Sequence, residues 1–370
     1  MNELNEKHIA LVPLLGMEGV AEKIQQYIKD ISDNTICEIM RVDLPRFATG
    51  DAKAVLQKSV RGKDVFILAD VGNYSYQYKM YDYENHMSPD EHFLNLIRTI
   101  SAIDGKACRV NVIMPMLYSA RQDQRTSRES LDCAIALQHL EKLGVENIMS
   151  FDMHDGRVQN AVPLMGFDNL MPTYQMIKAM CRHYDNLLFD DQHMVIVSPD
   201  FGGMKRNFAY ASELGLEIGL FYKRRDLNEI KDGKNSIRVH KYIGPDLTDK
   251  DVLMADDIIA SGDSILDSVA YLKNAGAKRI FACVTFGFFT HGTGKFDEAY
   301  ESGLLESVFV TNATYIRDEV RQAPWFKEVN LTKYISLYIF SVNAGTSISD
   351  ILNPHEKISD LMKRYKGANI

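Results

Sequence analysis

Residues 251–264 read DVLMADDIIASGDS, in which an apolar strand runs into two adjacent aspartates and then a small polar turn. Small residues in such a turn let backbone N–H groups approach a phosphate, and the N-terminus of a following helix favours an anion. Adjacent carboxylates at a strand end suit vicinal hydroxyls, or a metal ion bound through water. A solvated acidic turn with a serine cap has the same pattern, so both interpretations are open at this point.

The strand-to-helix pattern of this stretch repeats along the chain. Several strands are nearly continuous runs of Val, Ile, Leu and Met, as expected for strands buried on both faces of a parallel sheet. Helices are predicted at 127–144, where Thr126 to Glu129 fit a capping box, and at 264–278, and both end near a glycine. The alternation occurs before and after about residue 172, which predicts two α/β domains, 1–172 and 173–370, with parallel sheets flanked by crossover helices.

Two segments interrupt the alternation. Residues 71–89 carry five tyrosines and end in Ser-Pro, and residues 226–247 are polar and charged. Loops of this length in compact domains are usually functional or disordered, so both are predicted to be long loops.

Composition narrows the class of protein. The chain has 370 residues, of which 46% are hydrophobic and 25% charged, with a net charge of -8, which argues against a surface devoted to nucleic acid. The five cysteines form no CxxC pair, so a disulfide framework or zinc site is not expected. With no signal-peptide pattern and no apolar run of about 20 residues, we expect a cytoplasmic protein that is not inserted in a membrane.

A second strand end carries both an acid and a basic pair. Asp200 ends the strand, Gly202 and Gly203 open the next turn, and Lys205 and Arg206 begin a helix. Cations at a helix N-terminus oppose the helix dipole. A bound anion near the helix N-terminus would explain why two cations lie there. The alternative is that Lys205 and Arg206 face solvent and bind nothing.

Three further segments follow predicted strands. His154, between Asp152 and Asp155, is either a structural histidine or a metal-associated one. Residues 121–123 lie in an arginine-dense segment, which indicates phosphate or nucleotide recognition or else a charged surface loop. Residues 223–225, Lys-Arg-Arg, fit a mobile basic loop that closes over a reacting phosphate, or a solvated run of charge.

Taken jointly, the segments resemble those of the ribose-phosphate pyrophosphokinases, the phosphoribosyl pyrophosphate (PRPP) synthetases, in order and in spacing. They are FATGDAKAVLQKSVRGKDV (47–65), YSARQDQ (118–124), FDMHDGRVQ (151–159), DNL (168–170), VSPDFGGMKR (197–206), YKRR (222–225), VLMADDIIASGDS (252–264) and VTFGFFTHG (284–292). The resemblance implies two similar domains of the type I phosphoribosyltransferase kind. It also implies Mg²⁺-dependent transfer of pyrophosphate from ATP to the 1-hydroxyl of ribose 5-phosphate, which gives PRPP and AMP.

The resemblance assigns a role to individual residues. Positions matched to ATP binding are Phe47, which would stack on adenine, and Thr49, Asp51, Arg121, Gln122 and Asp123. Positions matched to ribose 5-phosphate are Asp256 and Asp257 beneath the ribose, and Ser261, Gly262, Asp263 and Ser264 around the 5-phosphate. Catalytic positions are Lys223, Arg225 and His154, and magnesium-associated positions are His154 and Asp200. The family is usually oligomeric, with the ATP site shared across a dimer interface, so a homodimer or higher oligomer is expected.

Several positions depart from the family pattern and keep alternatives open. The adenine segment reads Phe-Ala-Thr-Gly-Asp where Phe-Ser-Asn-Gln-Glu is typical, and residues 71–89 are an insertion. In the phosphate loop Ala260 replaces an acid and Asp263 replaces a glycine. The alternatives are a pyrophosphokinase for another acceptor that ends in ribose 5-phosphate, and a catalytically silent nucleotide-binding regulatory subunit. A base-specific phosphoribosyltransferase is disfavoured, since it would leave residues 47–65, 121–123 and 223–225 unexplained.

Overall fold

The computed structural model describes residues 8–32, 34–231 and 234–368, with the backbone alone for 223–231, 234–240 and 366–368. The strands of the first half are β1 His8–Pro13, β2 Ile36–Ile39, β3 Val42–Asp43, β4 Val55–Leu56, β5 Asp64–Leu68, β6 Gln77–Met80, β7 Tyr83–His86, β8 Arg109–Ile113, β9 Asn147–Phe151 and β10 Gly166–Leu170. The helices there are α1 Glu18–Ile31, α2 Pro89–Ile103 and α3 Asp132–Lys142, with a 3₁₀ helix at Gly156–Ala161.

The second half continues the alternation of strands and helices. Its strands are β11 Met194–Ser198, β12 Ile218–Lys231, β13 Lys234–Ile243, β14 Asp251–Ile259, β15 Ile280–Gly287, β16 Ser307–Thr311 and β17 Phe326–Val329. Its helices are α4 Thr173–His183, α5 Met204–Leu214, α6 Asp263–Asn274, α7 Gly294–Glu301, α8 Asp318–Gln322, α9 Thr332–Ala344, α10 Ser349–Leu352 and α11 His355–Ala368. Within the described residues no helix is long and apolar enough to cross a membrane.

Each of two compact units is built on one large sheet. The first sheet has the order β10-β9-β8-β5-β1-β2, and all its neighbours are parallel. The second has the order β13-β12-β11-β14-β15-β16-β17, parallel except for the β12–β13 pair. Strands such as β5 and β16 are buried along their whole length, as the apolar runs Val65–Leu68 and Val308–Val310 within them predict. The predicted α/β class with mainly parallel sheets is confirmed.

The main division between the units falls after Pro172, but the chain returns to the first unit twice. That unit contains the described residues up to Pro172 together with Asn312–Tyr315 and Asn330–Asn353, whereas a division into 1–172 and 173–370 omits these returns. Helix α9 packs against α1. Its Tyr338 hydroxyl donates to Asp168 Oδ2 at 2.7 Å.

Three local expectations from the sequence need correction. Helix α3 begins at Asp132 rather than near 127, because the Thr126 N–H and hydroxyl both donate to the Glu129 carboxylate and close a turn instead of capping a helix. The predicted loop at 226–247 is largely occupied by β12 and β13. The predicted loop at 71–89 contains the hairpin β6–β7.

Candidate substrate sites

The best-defined acidic cluster lies at the carboxyl ends of two neighbouring strands. Strands β11 and β14 pair in parallel, so their carboxyl ends meet at one edge of the sheet, where ligands bind in open α/β folds. Asp200 follows β11, and Asp256 and Asp257 lie near the end of β14. The strand extends through Ile259, two residues beyond the expected end. The structure therefore brings three predicted site residues to the same edge.

A basic side chain offsets the like charges of the aspartate pair. Arg206, on α5, places Nη1 3.5 Å from Asp256 Oδ1 and Nη2 3.7 Å from Asp257 Oδ1, and its side chain is 9% exposed. Burial first, and then the adjacent Asp257, raise the pKa of Asp256 to about 8, although Arg206 opposes the shift. At neutral pH the pair therefore offers one protonated carboxyl, which can donate as well as accept a hydrogen bond.

A buried amide that sequence reasoning missed holds α5 against β14. The Asn207 side chain donates from Nδ2 to the Ala255 carbonyl and accepts the Ala255 N–H at Oδ1, both at 2.8 Å. It is completely buried. Because it follows Arg206 directly, these bonds fix the position from which Arg206 reaches the acids.

The loop after β14 shows how the unusual Asp263 is accommodated. The Asp263 carboxylate accepts a hydrogen bond from Ser261 Oγ at 2.9 Å and forms an ion pair with Lys295 Nζ at 2.6 Å. Lys295, followed by Ser261, lowers the pKa of Asp263. Lys295, on α7, was not singled out in the sequence, because 32 residues separate it from Asp263. The acid in the loop is thus ionised and paired with a cation.

Gly262 gives this loop its shape. It caps α6 with φ 87°, in the left-handed region, and a Cβ there would overlap the ring of Phe296. Phe296 is completely buried. Both the backbone angle and the close approach therefore require glycine.

In the first unit, the residues predicted to contact adenine share the loop between β3 and β4. Phe47 N–H donates to the Asp51 carbonyl at 2.8 Å, and Gly50 N–H donates to the Phe47 carbonyl at 2.9 Å, so the loop is closed on itself. Thr49 Oγ1 donates to Asp51 Oδ2 at 2.9 Å. The Phe47 side chain is 55% exposed. An aromatic face is therefore available for stacking.

The other predicted residues of the first unit follow two paired strands. Arg121, Gln122 and Asp123 come after β8, and His154 comes after β9, which is parallel to β8. Arg121, Gln122 and His154 are exposed, while Asp123 is partly buried.

The remaining predicted residues concern catalysis and metal binding. The side chains of Lys223 and Arg225 lie outside the described residues. Among the residues that the structure describes, no group of three or more His, Cys, Asp and Glu side chains could hold a metal ion. His154 and Asp200, the two predicted magnesium-associated residues, lie in different units.

The fold and the acidic strand ends define an α/β enzyme of the phosphoribosyltransferase kind. The family model of the phosphoribosyl transferase domain matches residues 168–316, and that of the N-terminal domain of ribose phosphate pyrophosphokinase matches residues 19–144. The crystal structure of phosphoribosylpyrophosphate synthetase from Mycobacterium smegmatis superimposes with a TM-score of 0.72 at 20% identity, covering 91% of this chain and 99% of that one. The predicted pair of type I phosphoribosyltransferase domains is confirmed.

Curated relatives match almost the full length of the chain. A ribose-phosphate pyrophosphokinase from Staphylococcus aureus is 25% identical over 94% of this chain and 98% of its own. One from Thermotoga maritima is 28% identical over 90% of this chain and 94% of its own. The chain belongs to the ribose-phosphate pyrophosphokinase family and is an enzyme.

Proposed function

We propose that the enzyme transfers pyrophosphate from ATP to the 1-hydroxyl of ribose 5-phosphate, with Mg²⁺, and releases PRPP and AMP for nucleotide biosynthesis. The observation that carries the proposal is the aspartate pair held by Arg206 at the end of β14, with a glycine-shaped turn directly after it. Such a pair suits the two vicinal hydroxyls of a ribose, and the turn suits a phosphate at its 5-position.

On the acceptor side, the protonation state of the pair supports hydroxyl recognition. With its pKa raised, Asp256 can donate a hydrogen bond to one hydroxyl oxygen, while the other carboxyl oxygens of the pair accept hydrogen bonds from the ribose hydroxyls. Ser261 to Ser264 would contact the 5-phosphate, with Gly262 allowing the backbone to approach. Pairing of Asp263 with Lys295 lowers its repulsion of a phosphate dianion, which supports ribose 5-phosphate as the acceptor.

On the donor side, Phe47 would stack on the adenine of ATP, with Thr49 and Asp51 beside it. The same nucleotide would also be bound by Arg121, Gln122 and Asp123. Phosphoryl transfer requires little covalent work from a protein, so positioning and neutralisation of charge dominate. Lys223 and Arg225, with His154, are proposed to stabilise the charge that develops on the transferred group.

Mg²⁺ keeps most of its water ligands when it binds substrate phosphates, so it requires few ligands from the protein. Asp200 offers a carboxylate, which is the kind of oxygen ligand that Mg²⁺ takes in small number beside substrate phosphates, and His154 is proposed as magnesium-associated from the family resemblance alone. The ion would neutralise charge on the ATP oxygens. From the family resemblance we also propose a cytoplasmic homo-oligomer of two or more subunits.

The reaction is tested by incubating the protein with Mg²⁺, ATP and ribose 5-phosphate and measuring AMP and PRPP. We expect both products in equal amounts. Asp257→Asn should lower kcat/KM for ribose 5-phosphate at least about tenfold, because it weakens hydroxyl binding. Asp185→Asn, at an exposed position of the same unit, is the matched control. Absence of AMP with the wild-type protein would contradict the proposal and favour a regulatory subunit.

A second candidate function is suggested by Asp263, which stands where the family has glycine. The same assay of AMP release is therefore repeated with another acceptor in place of ribose 5-phosphate. Another acceptor that ends in ribose 5-phosphate, but carries less negative charge on that phosphate, would be repelled by this acid less than a phosphate dianion is. AMP formed only with another acceptor would support this second function. The variant Asp263→Gly should then gain activity with ribose 5-phosphate.

A further inference from the structure

The tyrosine-rich hairpin β6–β7 packs directly on the adenine loop, residues 47–51. The Tyr81 N–H, at the tip of the hairpin, donates to the Ala48 carbonyl at 3.1 Å. Met80 occupies the space beside Gly50, where a Cβ would lie 2.6 Å from its sulfur. The hairpin therefore constrains the loop from one side.

Arg46 joins the hairpin, the loop and helix α2. Its Nη1 donates to the Gly50 carbonyl and to Glu91 Oε1, both at 3.1 Å. The Tyr78 ring of the hairpin covers the guanidinium, whose carbon lies 3.9 Å from the ring centroid. The other oxygen of Glu91 accepts the Ser88 N–H at 3.0 Å, at the start of α2. The loop is thus tied to a rigid helix end through one cation.

Shielding by Tyr78 strengthens this connection. The side chains of Arg46 and Glu91 are 13% and 19% exposed, so water screens their ion pair only in part. A cation covered by an aromatic face is also held more firmly when it is partly desolvated. Without the ring, the guanidinium would be hydrated and free to leave the Gly50 carbonyl.

We propose that Tyr78 is a positioning residue for the nucleotide, because it holds Arg46 against the loop that presents Phe47. The inference rests on the proposed function, in which this loop binds the adenine of ATP. The hairpin lies in residues 71–89, which the family resemblance marks as an insertion, and its contacts with Ala48 and Gly50 give the loop an additional support.

The test compares Tyr78→Ala with two matched variants. Tyr78→Phe keeps the ring over Arg46 but removes the hydroxyl that hydrogen-bonds to Glu91. Tyr83→Ala removes an exposed tyrosine from the other strand of the same hairpin. For each, KM for ATP, KM for ribose 5-phosphate, kcat and the thermal midpoint are measured. Binding of α,β-methylene-ATP is titrated by calorimetry, which requires no turnover.

We expect Tyr78→Ala to raise KM for ATP and the Kd of the analogue about tenfold, with KM for ribose 5-phosphate changed less than about twofold. Tyr83→Ala should stay within about twofold of the wild type in every constant. Tyr78→Phe, which loses only the hydroxyl contact with Glu91, should raise KM for ATP and the Kd of the analogue less than Tyr78→Ala does. If Tyr78→Ala does not fold, Tyr78→Leu, which keeps an apolar cover without a π face, should show the same selective loss.

Unchanged analogue binding in the folded alanine or leucine variant would overturn the inference, and so would an equal rise of both KM values. Failure of the proposed reaction is distinguishable from failure of the inference. A wild-type protein that forms no AMP contradicts the reaction, whereas the analogue titration still decides the role of Tyr78. Lack of analogue binding by the wild type overturns the inference as well.

Discussion

Replacing Gly262 by alanine tests why the turn after β14 requires glycine. Two reasons are possible together, the left-handed backbone angle and the close approach of the Phe296 ring to the Gly262 backbone. The substitution forces a Cβ into the left-handed region and into the Phe296 ring. That ring cannot easily move, because it stacks on Trp325 with centroids 5.1 Å apart and meets Phe289 edge-on at 5.1 Å. Gly303→Ala is the matched control in the same unit, with φ 68° and no atom within 4 Å of the position that a Cβ would take.

Both variants place an alanine in the left-handed backbone region, but only Gly262→Ala also introduces a steric overlap with a buried ring. An alanine in the left-handed region costs about 1–2 kcal/mol, and the lower entropy of its unfolded chain returns about 0.4–1 kcal/mol. Gly303→Ala should therefore lower the free energy of unfolding by about 1 kcal/mol. Overpacking against a buried ring adds about 1–3 kcal/mol, so Gly262→Ala should lower it by about 2–4 kcal/mol.

Urea unfolding followed by tryptophan fluorescence measures both values, since the chain has 1 tryptophan and it packs on Phe296. The same variants are assayed for KM of ribose 5-phosphate, which should rise for Gly262→Ala alone. Equal destabilisation by the two substitutions would refute the assignment of steric contact to Gly262.

Three further outcomes are expected. The pKa of Asp256, about 8, lies above its usual 3.8, so the folded protein binds an extra proton between these values. The free energy of unfolding should then fall as pH rises toward 8, and Asp256→Asn should flatten this dependence in urea titrations from about pH 5 to about pH 9. Asp70→Asn should lower the free energy of unfolding by about 2 kcal/mol. The buried carboxylate accepts hydrogen bonds from the Thr314 hydroxyl at 2.8 Å and from the Tyr315 N–H at 3.0 Å on its two oxygens, and an amide has only one oxygen to accept them. Faster hydrogen exchange of the Tyr315 amide would report the loss. Lys223→Ala should lower kcat about 100-fold or more with an unchanged thermal midpoint, measured by AMP release.

The alternation of strands and helices could be read from sequence because it depends on local periodicity. Strands such as β5 and β14 are marked by their own apolar residues, and the aspartate pair lies at the end of one of them. The parallel sheets follow from these elements and their connections. The edge of the sheet that carries the candidate site could therefore be predicted.

Partners that are distant in the sequence could not be predicted in this way. The sequence around Asp263 does not reveal that Lys295 neutralises it. Likewise, the sequence around Arg206 does not reveal that this side chain faces the aspartate pair instead of solvent. The β6–β7 hairpin was also missed. Its turn uses Tyr81 and Asp82 at φ 49° and 65°, where a glycine or asparagine is the usual signal.

The return of α9 to the first unit bears on how the chain is synthesised. Its Ile335, Tyr338 and Ile339 are buried, and they lie more than 150 residues after the main division at Pro172. A ribosome that has released the first 172 residues has therefore not yet supplied the helix that packs on α1. The first unit therefore keeps apolar surface uncovered until α9 has been synthesised, so it cannot be completed before the strands of the second unit have also been made.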